Sequence, residues 1–165
     1  VFKITQSTSS TSFRSALFGN TSTSRSGFNL VYNNISGSTA RVRLLTRIRN
    51  SAGTWTWVSS YIGPYGSSYV SFANQDAYWV NNIIHLTTTV SSSNTYKFYI
   101  NGELKHTSNR SSDLSQGFRC NKIGAYSTSS NPCKGNIYRT FVYDTELTQD
   151  QIIQNFNALR GRFGI

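Results

Sequence analysis

The sequence predicts an all-β protein, an antiparallel β-sandwich with one short C-terminal helix. Most of the chain consists of short stretches in which apolar and polar residues alternate with a period of two, and turn residues separate these stretches. Only one stretch, near the C-terminus, has helical spacing. The chain of 165 residues has the length of one domain, so we expect residues 1–165 to form a single domain. Its aromatic content of 14% excludes a disordered tail.

The clearest predicted strand covers residues 41–49. Val42, Leu44 and Ile48 alternate there with arginines, so one face is apolar and the other is basic. Turn residues at 50–53 then predict a hairpin whose returning strand covers residues 54–62. Further strands are predicted over residues 2–6, 13–18, 27–32, 68–72, 82–90, 96–100, 103–106, 119–126 and 135–143.

Two local patterns predict a hairpin turn and a helix in the second half of the chain. Asn101-Gly102 is a preferred pair for the two central positions of a type I′ hairpin turn. Thr148 and Gln151 have the spacing of a helix capping box, and Gly161 is expected to end that helix. The helix has one apolar stripe, formed by Ile152, Ile153, Phe156 and Leu159.

Several segments of this half form one set of motifs. They are YKFYINGEL at residues 96–104, KIGA at 122–125, KGNIYRTFVYD at 134–144 and LTQDQII at 147–153. Together with Trp79 and His85, they resemble the central hairpin, later strands and helix of concanavalin A-like, laminin G-like jelly-roll domains. The resemblance covers residues 79–156 and implies a jelly-roll β-sandwich.

The last residues, IQNFNALRGRFGI at 153–165, are similar to the C-terminus of laminin G-like domains in structural proteins of tailed phages, especially marine ones. This resemblance implies a non-enzymatic virion structural protein, either a fibre or adhesin or a capsid decoration. We then expect a location on the particle surface, contacts with capsid or fibre proteins or with further copies of the chain, and host-surface glycans as ligands. The alternative is a carbohydrate-binding, lectin-like module of a secreted or surface protein, which would be extracellular. A glycan-cleaving enzyme of the same fold is a third reading.

The strongest candidate binding site is a basic and aromatic strand face, in a chain with a net charge of +10. Guanidinium groups pair with carboxylates and sulfates, and flat rings stack on sugars. Such a face fits an acidic protein partner or an anionic glycan, but it equally fits a solvated face with rings packed on arginine stems. Nucleic acid is not expected, because no base-reading motif is present. The candidate residues are Arg41, Arg43, Arg47, Arg49, Trp55, Trp57, Tyr61 and Tyr65.

Catalytic and metal-binding patterns are weak. A glycosidase needs two carboxylates beside the scissile bond. Of the six acidic residues, only Asp144 and Glu146 are close neighbours, and their position before the helix is typical of turn and dipole chemistry. We therefore expect no catalytic residue and no cofactor. Asp76 and Asp113 could each give one ligand to Ca²⁺, but the acidic residues do not cluster, so no metal site is predicted. His85 is expected to be a packed, hydrogen-bonded residue.

Three further features concern the cysteines, membrane insertion and the start of the sequence. Cys120 and Cys133 flank a predicted strand and a loop, and both a disulfide between them and two reduced thiols stay open. No segment is long and apolar enough to cross a bilayer, so membrane insertion is not expected. The chain has no Met and starts at Val1, so we expect either removal of an upstream piece or a segment of a longer protein.

Overall fold

The computed structural model describes residues 1–5, 13–19, 27–36, 39–49, 55–109, 122–125 and 132–165. Within these ranges it contains twelve strands and two helices. The strands are β1 (Phe2–Ile4), β2 (Phe13–Gly19), β3 (Gly27–Ser36), β4 (Thr39–Arg49), β5 (Trp55–Tyr61), β6 (Val70–Ser71), β7 (Ile83–Ile84), β8 (Leu86–Val90), β9 (Thr95–Ile100), β10 (Glu103–Asn109), β11 (Lys122–Ile123) and β12 (Gly135–Ile137). The helices are α1 (Phe72–Trp79) and α2 (Gln149–Phe163).

The strands form one large and two small antiparallel sheets. The large sheet has the order β11-β2-β3-β4-β5, with β6 paired to β4. The small sheets have the orders β12-β1-β7 and β10-β9-β8. One contiguous apolar core joins all three, and its buried side chains include Phe2, Ile4, Leu17, Val42, Leu44, Val58, Ile84, Phe98 and Ile100. The prediction of an all-β antiparallel sandwich is therefore confirmed.

The predicted hairpin turn is confirmed, and the predicted alternation in β4 is confirmed over residues 41–44. Val42 and Leu44 are almost completely buried, while Arg41 and Arg43 are only half-buried. Asn101 and Gly102 have φ values of 51° and 82°, as the two central positions of a type I′ turn require.

The prediction of a single helix is wrong, because residues 72–79 form α1. Its N-cap is Ser71, whose hydroxyl accepts a hydrogen bond from the Asn74 N–H. The predicted strand over residues 68–72 shrinks accordingly to β6. The helix buries Gln75 and Trp79, one turn apart. Because one of these two buried residues is a glutamine, an analysis that counts only apolar residues does not detect the helical pattern.

Other predicted boundaries also differ. The strand predicted over residues 82–90 is divided at His85, whose N–H donates to the Asn101 side-chain oxygen at 2.9 Å instead of to a neighbouring strand. The strand predicted over residues 135–143 ends at Ile137. Gly161 does not end α2, because the helix continues to Phe163 and Gly164 forms the left-handed C-cap with φ 71°.

The capping box of α2 is present as predicted. Thr148 Oγ1 accepts from the Gln151 N–H, and Gln151 Oε1 accepts from the Thr148 N–H. Thr148→Ala is expected to lower the free energy of unfolding by about 1 kcal/mol, because one helix N–H loses its partner. Urea denaturation measures this change, and Thr148→Ser, which retains the hydroxyl, is the control. An equal loss in both variants would contradict the capping role.

Candidate functional site

The strand register brings the predicted arginines and aromatic residues to one sheet face. In the β4–β5 pair, Arg43 lies opposite Tyr61. Further along the same pair, after Leu45 opposite Ser59, Arg47 lies opposite Trp57 and Arg49 opposite Trp55. Residues directly opposite each other in an antiparallel pair share a face. We call this set of positions the basic face; it comprises Arg41, Arg43, Arg47 and Arg49 of β4 with Trp55, Trp57 and Tyr61 of β5. Val42, Leu44 and Val58 lie on the opposite, core face.

Arg41 is held between two tyrosine rings. Its guanidinium carbon lies 4.4 Å from the ring centre of Tyr61 and 4.4 Å from that of Tyr69. A cation placed over two ring faces is attracted by both ring quadrupoles. Arg41 Nε is buried and has no hydrogen-bond partner within the described part of the chain. The rings therefore fix the position of the guanidinium group, and no acidic side chain among the described residues forms an ion pair with it.

Two residues of this surface were not among the predicted ones. Tyr69 lies near the start of β6, and its ring is 38% exposed. Its contact with Arg41 depends on the pairing of β6 with β4, for which the sequence has no local signal. Arg14 of β2 lies in one cross-strand row with Val31 and Arg43. The alternation in residues 13–18 is a signal that could have identified Arg14.

Tyr65, the remaining predicted binding residue, lies half-buried in the turn between β5 and β6. Its carbonyl accepts a hydrogen bond from the Ser68 N–H at 3.0 Å. This bond closes the turn that places Tyr69 against Arg41. The structure therefore assigns Tyr65 a supporting position beside the basic face.

No ion pair among the described side chains involves the basic face. The ion pairs of the described residues join Lys97 of β9 to Glu146 at 3.3 Å and Lys105 to Glu103, both of β10, at 2.6 Å. Arg43 Nε, like that of Arg41, is buried without a hydrogen-bond partner in these ranges. A buried donor without a partner is costly, and a charged acceptor would satisfy it. The arrangement can therefore bind an anion.

The candidate carboxylates have structural contacts. Glu146 Oε1 accepts from Thr89 Oγ1 at 3.5 Å in addition to its ion pair with Lys97, while Asp144 is exposed. Across the described residues, no group of three or more His, Cys, Asp or Glu side chains could hold a metal ion. Asp113 lies outside the described residues, so the structure does not test whether it and Asp76 could each give one ligand to Ca²⁺.

Cys120 also lies outside the described residues, so a disulfide with Cys133 and two reduced thiols both stay open. Cys133 is half-buried and packs against the core.

His85 is packed as predicted, but its ring is not hydrogen-bonded through Nδ1. The side chain is 6% exposed and stacks on Phe156 of α2, with 6.0 Å between ring centres. Nδ1 is buried and has no partner among the described residues. Burial lowers the pKa of His85 from 6.5 to about 4, and the positive N-terminus contributes to the same shift. The imidazole is therefore neutral at neutral pH and holds α2 against the sheet.

The antiparallel sheets and their shared apolar core are consistent with a concanavalin A-like domain. The family model described as the concanavalin A-like lectin/glucanases superfamily, a laminin G-type model, matches residues 4–153. Because this range includes most of the chain, the protein belongs to that superfamily. A search of the curated proteins and a search of the solved structures each returned no match. Neither described helix has the length and apolar composition needed to cross a membrane.

Proposed function

We propose that this protein is a non-enzymatic binding module that docks through the basic face onto an acidic surface of a neighbouring protein in a virion. The observation that supports this most is the pair Arg41 and Arg43, which have buried Nε atoms and no acidic partner among the described side chains. Membership of a superfamily that includes lectins is consistent with a binding module. The C-terminal resemblance to phage structural proteins supports the virion setting.

The physical argument concerns charge and rigidity. Arginines at alternate positions of one strand have like charges on one face, which is unfavourable until an anion lies against them. The two tyrosine rings hold Arg41 in place, so less side-chain entropy is lost on binding. Arginine, tyrosine and tryptophan are also the residues that most often contribute strongly to protein interfaces.

A second candidate function is binding of an anionic surface glycan. It is favoured by the exposed ring of Tyr69 beside the Arg41 guanidinium. A ring can stack on a sugar face while the guanidinium pairs with a sulfate or a uronic carboxylate. In this case the module would bind the host surface.

Charge reversal tests the proposal. Arg43→Glu combined with Arg47→Glu is expected to reduce incorporation of the protein into particles by about tenfold or more, since attraction becomes repulsion. Added salt is expected to weaken binding of the unaltered protein. The measurement is the amount of protein that co-sediments with particles at several salt concentrations.

The matched control is Arg160→Glu with Arg162→Glu, which makes the same change in net charge on the last turn of α2. Circular dichroism shows whether both double variants are folded. Unchanged incorporation of the β4 variant would contradict docking through the basic face. Loss of binding to sulfated or uronic glycans, with unchanged incorporation into particles, would favour the glycan function instead.

A further inference from the structure

The loop between β5 and β6, which carries Tyr69, is fixed at both of its ends. At its start Ile62 is buried, and a Cβ at Gly63 would lie 2.8 Å from the Trp79 ring, so the chain there lies directly on that ring. At its end β6 pairs with β4, and Ser71 caps α1. The backbone of Tyr69 is therefore held in place by the fold before any ligand binds.

The strand register places two tyrosines beside Arg41. β5 ends at Tyr61 and β6 begins at Val70, directly after Tyr69, and both strands pair with the edge of β4 that β3 leaves free. The Arg41 side chain lies between the two rings, with its guanidinium carbon 4.4 Å from each ring centre. We call Arg41, Tyr61 and Tyr69 the tyrosine slot. A group bound to this guanidinium therefore also lies close to both rings.

The shape of an anion decides how well it fits the tyrosine slot. Arg41 Nε is buried, whereas the two terminal nitrogens are not among the buried atoms without a partner, and no described acidic side chain pairs with them. A carboxylate is flat and binds two such N–H groups in the plane of the guanidinium. A sulfate or phosphate is tetrahedral, so its remaining oxygens project out of that plane, toward the ring faces. Those faces are the negative side of the ring quadrupole and repel anionic oxygens.

We propose that the tyrosine slot selects the side-chain carboxylate of a glutamate or aspartate in the docking partner, and that Tyr69 determines this specificity against sulfate and phosphate. The inference rests on the proposed function, which supplies the acidic protein surface. The two rings favour a protein source, because an acidic side chain enters between them on a thin methylene stem. The carboxylate of a uronic acid is attached directly to a sugar ring, which is too bulky to enter with it.

Titration of the full chain with acetate and with methyl sulfate tests the specificity. Both anions have a single negative charge, so their general attraction to the basic face is equal. At constant ionic strength, the NMR signal of Arg41 Nε–H is expected to give a Kd about threefold or more lower for acetate. Tyr69→Ala is expected to abolish this preference, and Tyr69→Phe, which retains the ring, to keep it. Unchanged amide shifts in β4 and β6 show that each variant is folded. Equal binding of both anions, or an undiminished preference in Tyr69→Ala, would overturn the proposal.

A second titration identifies the source of the carboxylate. A peptide in which glutamate and serine alternate is compared with a galacturonate oligomer of the same charge. We expect the peptide to bind more tightly, and tighter binding of the oligomer would overturn the assignment to a protein partner. These results are distinguishable from failure of the proposed function. If the acetate preference is absent while Arg43→Glu with Arg47→Glu still reduces incorporation into particles, the specificity of the slot is overturned and docking stands. If the preference depends on Tyr69 while incorporation of that double variant is unchanged, the specificity stands and docking is overturned.

Discussion

The Gly135→Ala variant is expected to lose about 3 kcal/mol or more of its free energy of unfolding. Gly135 pairs with Ile4 in the β1–β12 ladder. A Cβ at this position would lie 2.8 Å from Ile4 Cα and would overlap the Lys3 carbonyl oxygen. These neighbours are backbone atoms of a paired strand. They cannot move without breaking the ladder, and Ile4 is completely buried in the core.

Gly161→Ala is the matched control, since the same methyl group is added where space is open. Gly161 lies inside α2, and apart from its chain neighbours and the adjacent helix backbone no described atom lies within 4 Å of an added Cβ. Alanine is the better helix former, so this variant is expected to gain about 0.5–1 kcal/mol. Urea denaturation of both variants measures the two changes. Effects of similar size and sign would show that β1 and β12 are not in close contact.

The second large effect is a loss of stability on acidification, caused by His85. Its pKa is lowered from 6.5 to about 4 in the folded protein, so between these pH values the unfolded chain binds the additional proton. The free energy of unfolding is therefore not reduced by His85 above pH 6.5, and it decreases as the pH falls to about 4. One pKa unit corresponds to about 1.4 kcal/mol, so the loss is at most about 3 kcal/mol and is reduced by solvent screening of the ring.

Two measurements check this dependence. An NMR titration of the His85 ring gives its pKa in the folded protein, and His106→Gln removes the only other histidine resonance for the assignment. Denaturation between pH 4 and 6.5 compares the unaltered protein with His85→Gln. The variant is expected to have a shallower dependence of unfolding free energy on pH. A His85 that titrates above pH 6 would contradict the effect.

β4 of the large sheet could be predicted because its residues follow a simple alternation. β4 has one buried and one solvent-facing side, so the alternation of Val42 and Leu44 with Arg41 and Arg43 is visible in the sequence. The break at His85 could not be predicted in this way. It depends on the side chain of Asn101, which replaces a backbone partner from 16 positions away.

Only part of the candidate site could be predicted from the sequence. The shared face of the β4 arginines follows from parity within one strand. Their position opposite the β5 aromatic residues depends on the strand register, which parity alone does not define. The enclosure of Arg41 by Tyr61 and Tyr69 depends in addition on the chain returning at β6 to pair with β4. Contacts of that kind follow from the tertiary fold.

The β1–β12 pairing has a consequence for the order of folding. The hydrogen bond between Val1 and Arg139 joins residues 138 positions apart. Phe2 and Ile4 of β1 belong to the core, so this core is incomplete until β12 has joined them. Closing so long a loop costs entropy before any contact compensates for it, and contacts distant in sequence slow folding. On the ribosome, the first strand must therefore wait for nearly the whole domain to be synthesised, and its apolar residues remain accessible to chaperones during that time.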